Sequence, residues 1–555
     1  MHNHTPSKLW RFHGGLKLPG HKASSMRASI APATLPRYLI LPVQQHIGAP
    51  AVPIVKIGER VLKNQCIAKA EGLVSVPVHA SSSGTVIAIE PRPVAHPSGM
   101  PGLSIVIETD GKDEALVIPG ASSAFAQQDP AQIRERIRDA GIVGLGGAGF
   151  PAFIKLNPGP GYQINTLILN GAECEPYITC DAMLMQEQPR EILDGLLIMQ
   201  HALQAQRCLI GIEDNKPEAI AALRNALTVA ENQFIKVVAV PTIYPAGGEK
   251  QLIRTLTGIE VPAQQLPASM GVICHNVATA FAIAQAISRQ QPLITRVVTV
   301  TGSALTQARN YWVRLGTPMR DLLEQAGATN TRFAHLTLGG PMMGLGVTDT
   351  AAPVIKTSNC LLAQTENKFQ TKPVALPCIR CGECARVCPA QLLPQQLYWH
   401  AHAKDFDKIQ DFHLFDCIEC GCCDYVCPSH IPLVQYYRFA KTEIWAKERE
   451  AQKSDIARQR HEFHLWRIER KKLDDEERKR KKMELLNKVD ADEDHKQSAI
   501  EAALQRVHAK KAAQQVQPRN TDNLSDTQRK LIHDIDQRRM QHTEPAPNLN
   551  KDKNP

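Results

Sequence analysis

No apolar run in the chain approaches the roughly 18 residues that a helix needs to cross a bilayer. The first residues, MHNHTPSKLWRFHGG, lack the apolar core of a secretory signal. Both absences make the composition cytosolic, predict that the 15 cysteines are reduced or metal-bound, and leave membrane attachment to a partner. Charge of one sign is also lacking. The formal net charge is only +9 over 555 residues, and acidic residues sit among the basic ones nearly throughout. A dedicated nucleic-acid binder would concentrate positive charge on one face, so the balance argues against that class. Glycine disappears after Gly421, and proline is missing between Pro432 and Pro518. The charged stretch from Glu443 to Leu486 is therefore predicted to form one long helix, too sparse in apolar residues to build a core. Beyond Gln517 the composition predicts disorder. The tail reads as a solvated helix and loose end rather than a docking arm.

What is present divides the chain into several segments, as its length and 43% hydrophobic content allow. From about residue 25 to 115, short β-rich runs such as RYLILPVQ and VSVPVHASSSGTVIAIE end in proline or glycine, predicting a small all-β unit. From 116 to 290 strands alternate with helices. TLILNGAE, RCLIGIED and FIKVVAVP read as strands; PAQIRERIRDA, PREILDGLLIMQHAL and KPEAIAALRNAL read as helices. That alternation predicts an α/β layer with parallel strands. TRVVTVTGSAL opens a further β-rich segment over 291–350, whose one clear helix is expected to use Thr317 as N-cap and Gly327 as its stop. A cysteine-rich module follows over 360–440. Residues 1–24 form a leader and 441–555 the charged tail. The predicted class is a multidomain α/β protein.

The cysteine module writes one phrase twice, CIRCGECARVCP from Cys378 and CIECGCCDYVCP from Cys417. Each is C-x2-C-x2-C-x3-C-P, the bacterial ferredoxin spacing. Three thiolates at this spacing converge on three corners of one 4Fe–4S cube, and the fourth serves the other cube. One cluster is thus expected on Cys378, Cys381, Cys384 and Cys427, and a second on Cys417, Cys420, Cys423 and Cys388. Structural zinc would use two separated C-x2-C pairs instead. Cys422 is off register and reads as a spare. Cys66, Cys208, Cys274 and Cys360 read as small buried hydrophobes, and Cys174 and Cys180 as structural.

A cluster carries one electron, so two of them form a wire that something must feed. GIVGLGGAGFPAFIKL, from Gly141, offers a glycine-rich nest for a phosphate, with Lys155 as a point charge. It is not a dinucleotide-binding G-x-G-x-x-G, because no strand runs straight into it. LNGAECEPYITCD brings Glu173 and Glu175 to the end of a predicted strand. YPAGGEKQLI adds Gly247, Gly248, Glu249 and Lys250. These three stretches resemble the flavin- and NADH-binding subunit of respiratory complex I and of related NAD-dependent hydrogenases, and CHNVATAFAIAQAI matches its Asn-Val segment at Asn276. The paired cysteine phrases do not match that family. The whole order of modules, over roughly residues 10 to 440, resembles instead the family of C subunits of Rnf (Rsx) electron-transport complexes, with a β-grasp-like unit at 291–350.

The resemblance implies FMN, NAD(H) and two 4Fe–4S clusters in a peripheral subunit on the cytoplasmic face of a bacterial inner membrane. Its implied partners are the other subunits of an ion-translocating complex and a ferredoxin-like carrier, with no nucleic acid. A flavin belongs between a two-electron nicotinamide and one-electron clusters. The implied roles place Gly144, Gly146, Gly147, Gly149 and Lys155 at the FMN phosphate, Phe150 against the dinucleotide, and Asn170 and Asn276 on the flavin. Gly247, Gly248 and Lys250 would close over it from the second loop. Glu173, Glu175 and Glu249 would line the nicotinamide face or its ribose hydroxyls. The sequence departs from the complex I pattern at Leu145 (arginine there), Ala172 (aspartate) and Tyr177 (glycine), and each departure removes a polar contact from that pattern. A cluster-bearing adaptor that never reacts with NAD, and a soluble hydrogenase-type dehydrogenase subunit, are the alternative readings.

Overall fold

The computed structural model describes residues 8–117, 125–159, 161–328, 335–365, 374–489, 496–513 and 524–541. The chain divides into two compact units, Met1–Lys447 and Glu448–Pro555.

Within the first unit, strands Thr166–Gly171, Arg207–Glu213, Ile235–Val240 and Val272–Asn276 form one parallel sheet. Their near-continuous apolar runs suit strands buried on both faces. Helices Pro189–Leu203 and Pro217–Ala226 each open on a proline that presets the first turn. Helix Pro189–Leu203 packs so closely on Val277–Arg289 that a Cβ at Gly195 would lie 1.8 Å from the carbonyl oxygen of Ala280. The spatial order starts from Thr166–Gly171, steps outward through two strands, and returns to its other side with Val272–Asn276. Such a reversal opens a crevice at the carboxyl ends of the two adjacent strands. Asn170 and Asn276 are register partners there.

Three further sheets surround this one. Tyr38–Pro42, Gly102–Thr109, Gly84–Arg92 and Arg60–Val61 pair antiparallel, and Val52–Pro53, Cys66–Lys69 and Val78–His79 form a small second layer. The six-stranded sheet built on Thr295–Thr301 crosses two of the expected boundaries. It recruits Ala31–Pro32 beside Arg309–Arg314 at one edge and inserts Cys360–Gln364 beside Thr295–Thr301. Ladder hydrogen bonds are satisfied by whatever strand the tertiary fold supplies, so composition shifts near 25 and 350 do not mark its limits. The helix expected to start at Thr317 runs Met319–Gln325. The Thr317 hydroxyl bonds back to the Arg314 carbonyl at 2.8 Å and leaves the capping position.

The two cysteine phrases fold as matching turns. Arg380 and Glu419 occupy left-handed backbone positions, as do Gly382 and Gly421, and a short helix follows each pair, Glu383–Arg386 and Cys422–Val426. Leu397, Ile409, Leu414, Val434, Tyr437 and Ile444 make the core beneath them. Helix Leu433–Val489 therefore begins inside the cluster module, ahead of the boundary expected at 441.

In the second unit, side chains from Glu448 to Leu485 are exposed. Contrary to the disorder expected beyond Gln517, Asp526–Gln541 is helical. At its start Gln528 Oε1 accepts from the Ser525 N–H at 3.0 Å and from the Ser525 hydroxyl at 3.1 Å. Residues 518–523 and 542–555 of that expectation, and 1–7 of the leader, lie outside the described residues. Among the described residues no helix is long and apolar enough to cross a membrane.

Candidate functional site

At the crevice between Asn170 and Asn276 lies a cleft of about 710 Å³. One wall is the glycine loop, contributing Leu145 to Ala148; another is the loop from Ala172 to Glu175; Gly247 to Gln251 and Leu338 to Leu345 close it. The structure thus brings together Gly146, Gly147, Asn170, Glu173, Glu175, Gly247, Gly248, Glu249, Lys250 and Asn276. Gly144, Gly149, Phe150 and Lys155 do not line the cleft. The Gly144 N–H donates to the Phe150 carbonyl at 2.7 Å, turning that end of the loop back on itself. Lys155 Nζ is held behind the wall by Glu249 Oε1 at 2.6 Å and the Cys274 carbonyl at 2.8 Å. Its charge is already paired, so it does not stand free for a phosphate.

Each polar side chain in the cleft has a position fixed by the fold. Asn276 caps helix Val277–Arg289 by accepting from the Ala278 N–H, while its Nδ2 donates to Asp181 Oδ2 at 2.6 Å. Asn170 links the two loops, accepting from the Ala172 N–H and donating to the Gly247 carbonyl. Glu173 Oε1 accepts from the Asp181 N–H at 2.8 Å. Glu175 accepts from the N–H groups of Met342 and Met343, and burial still raises its carboxyl to about 7. Burial, then the neighbouring Glu173 charge, also pushes the Asp181 carboxyl upward. Tyr177 sits in the left-handed region at φ 70°, stacked on His21 with ring centroids 4.8 Å apart. Tyr244, Gln251 and Asp181 also line the cleft, without being singled out by the sequence pattern. Tyr244 and Asp181 lie within the quoted motifs, but only the tertiary fold turns them inward.

The donor groups suit a flavin mononucleotide. Among the described residues the N–H groups of Gly146, Gly147 and Ala148 make no hydrogen bond, and a Cβ at Gly147 (φ 111°) would meet open space. Successive free N–H groups of this kind form an anion nest. Gln251 Oε1 and Glu173 Oε2 are buried without a hydrogen-bond partner, two acceptors left for a ligand's donors. The volume falls within the range of cofactor pockets.

The cysteines separate into two sets. Cys378, Cys381, Cys384 and Cys427 line one cavity of about 310 Å³. Cys388, Cys417, Cys420 and Cys423 line another, with Cys422 beside them. Each set holds three thiols of one phrase and the last of the other. The cavity of the second set is the smaller, about 20 Å³. Cys420 and Ile418 also line the large cleft, and the Tyr244 hydroxyl donates to the Cys420 carbonyl at 2.7 Å. Cys208, Cys274 and Cys360 are buried and Cys66 is half-buried.

A glycine-nested cleft at the switch point of a parallel sheet, which Cys420 of one four-cysteine set also lines, defines an iron–sulfur flavoprotein of the electron-transfer class. Family models agree with this build: the Nuo51 FMN-binding domain matches residues 137–285 and a 4Fe-4S dicluster domain matches 377–431. The RnfC barrel sandwich hybrid domain matches 10–112 and the SLBB domain 297–346. The chain belongs to the RnfC family, the C subunits of ion-translocating oxidoreductase complexes. It is 46% identical over 510 residues to the member from Pectobacterium atrosepticum, covering 91% of this chain and 72% of the relative. It is 46% identical to that of Edwardsiella ictaluri, over 91% of this chain and 62% of the relative. The member from Pseudomonas aeruginosa is 48% identical, over 85% of this chain and 60% of the relative. The chain therefore spans less than two thirds of the latter two relatives. Among solved structures, an NAD+-reducing nickel–iron hydrogenase in the H2-reduced state overlays with a TM-score of 0.42 at 21% identity. That overlay covers 59% of this chain and 63% of the other.

Proposed function

We propose that the chain passes electrons between NAD(H), FMN and two 4Fe–4S clusters, and on to a ferredoxin-type carrier, within an ion-translocating complex. Partner subunits would hold it at the cytoplasmic face of the inner membrane. The single observation that carries this reading is Cys420, which lines both the flavin-type cleft and the second cysteine cavity. Bound FMN would supply the exchange between two-electron hydride and single electrons.

The chain's own residues do the rest. The N–H groups of Gly146, Gly147 and Ala148 would bind the phosphate, where a helix dipole or lysine is not required. Gly247 and Gly248 would admit the ring from the second loop, Asn170 would hold the two loops at fixed separation, and Asn276, tied to Asp181, would face the flavin. Glu173 and Glu175 would line the nicotinamide side, with Glu249 held in its ion pair with Lys155 and Lys250 at the rim. The set Cys417, Cys420, Cys423 and Cys388 would be the cluster next to the cleft, and Cys378, Cys381, Cys384 and Cys427 the remoter one.

Anaerobic addition of NADH to cluster-replete protein supplied with FMN should bleach a flavin band and then reduce the clusters. Protein with full cluster content that shows neither change would be the adaptor instead. Expressed without other subunits, the chain should stay in the soluble fraction, and recovery in washed membranes would contradict attachment through partners.

A further inference from the structure

The leader touches both halves of the proposed electron path. His13 Nδ1 lies 3.0 Å from the Cys388 carbonyl, and the Gly15 N–H donates to the Val387 carbonyl at 3.0 Å. Leu16 then pairs antiparallel with Tyr244, with N–O distances of 2.7 and 2.8 Å. That is the tyrosine whose hydroxyl bonds the Cys420 carbonyl. Leu16 and Leu18 pack on Tyr244, Cys420 and Cys422. The Gly20 carbonyl accepts from the Tyr177 N–H at 2.8 Å, and the His21 ring stacks on Tyr177. Finally Lys22 enters the back of the carboxylate loop. Its Nζ donates to the main-chain carbonyls of Glu173 at 2.8 Å, Glu175 at 2.9 Å and Ile178 at 2.5 Å.

We propose that residues His13–Lys22 clamp the cleft loop against the neighbouring cysteine set, with Lys22 as the positioning residue for Glu173, Cys174 and Glu175. The loop between Ala172 and Thr179 has no regular secondary structure to hold it. Three of its carbonyls converge on one ammonium, which has three donors and no acceptor, so a single side chain fixes the curvature of the whole turn. The Lys22 side chain is only 11% exposed, and Glu173 Oε2, at 4.0 Å, is its nearest anionic oxygen. Without it the Glu175 and Ile178 carbonyls would be left short of a donor, and the Glu173 carbonyl would keep only Lys216 Nζ at 3.4 Å. The left-handed Tyr177, strained for a ring-bearing residue, is held in place by the same leader through His21 and Gly20. The clamp gives the loop one conformation facing the cleft and one distance to Cys420.

This proposal rests on the flavin reading above, and the test separates the two. Full-length protein with clusters reconstituted anaerobically is stripped of FMN, and FMN is titrated back with fluorescence as the readout. Wild type should bind FMN. Lys22→Met should bind it about tenfold more weakly or worse, the effect of losing one buried charge-assisted contact. Its cluster signals in electron paramagnetic resonance should be unchanged, and Lys22→Arg, which keeps the donors, should recover most of the affinity. A merely structural role would lower melting temperature and cluster content together and leave the affinity of the folded protein as it was. Should Lys22→Met fail to fold, His21→Ala decides: about threefold weaker FMN binding is expected, and wild-type affinity overturns the clamp. Wild-type affinity in a folded Lys22→Met overturns it as well. Wild type that takes up no FMN overturns the flavin reading, and the clamp with it.

Discussion

Glu175 shows how burial converts a motif residue into a structural one. Its carboxylate accepts two backbone N–H groups from Met342 and Met343, yet burial still raises its carboxyl from the ordinary 4.5 to about 7. A raised carboxyl binds more protons in the folded than in the unfolded state between those values. Stability contributed by this group therefore falls as pH rises from about 4.5 to 7, and the whole penalty is present above that. Glu175→Gln cannot ionise, so its melting temperature should gain on wild type between pH 5 and pH 8, by up to about 3 kcal/mol of stability. A constant difference across that range would count against it. Lys216 and Glu213 are a buried pair of opposite charges. They form an ion pair with both side chains at 0% exposure, and Lys216 Nζ also reaches the Glu173 carbonyl. Lys216→Met strands a buried carboxylate and should cost about 3–5 kcal/mol in chemical denaturation. The Glu175 contacts are not visible in sequence, because only the folded loops bring Met342 and Met343 near; Glu213 and Lys216 are three residues apart, and what the fold adds is their complete burial.

At the scale of elements, the repeated cysteine phrase makes two like turns whose last thiols exchange places. Cys388→Ser is expected to damage the cluster that uses Cys417, Cys420 and Cys423, leaving the Cys378, Cys381 and Cys384 cluster complete through Cys427. Cluster-resolved spectroscopy of the variant checks this, and loss of the Cys378 cluster alone would reverse the assignment. Cys422 lies fully buried beside the second set. Cys422→Ser should nonetheless keep both clusters, since its place in the phrase breaks the ligand spacing. Helices and strands with strong periodicity were legible: Pro189–Leu203 and Arg207–Glu213 occur where their patterns predict them. Caps and boundaries were less so. Thr317 prefers a backbone carbonyl to the capping position, and the start of Asp526–Gln541 carries a Gln528 bond back to Ser525 that composition alone overlooks.

The whole molecule separates its chemistry from its tail. Ile444 is the last buried residue of the cluster core, and the described side chains from Glu448 to Leu485 are exposed. A chain ending at Lys447 should therefore keep both clusters and melt within about 2 °C of the full-length protein, since exposed substitutions and deletions away from the core cost little. Loss of iron on truncation would show that the tail takes part in the core. The parallel α/β layer, the twice-written ferredoxin-type cysteine phrase and the glycine-rich loop could be read from the chain alone, because each rests on local spacing: apolar periodicity, C-x2-C-x2-C-x3-C-P, and glycines close together. Only the tertiary structure decided that Lys155 is spoken for by Glu249, that Ala31–Pro32 and Cys360–Gln364 belong to one sheet, and that the leader reaches Cys388, Tyr244 and the carboxylate loop. It also decided that Cys420 faces the cleft. Those facts depend on which distant segments share an edge or a buried charge, and burial and hydrogen-bond satisfaction are settled only when the chain has closed on itself.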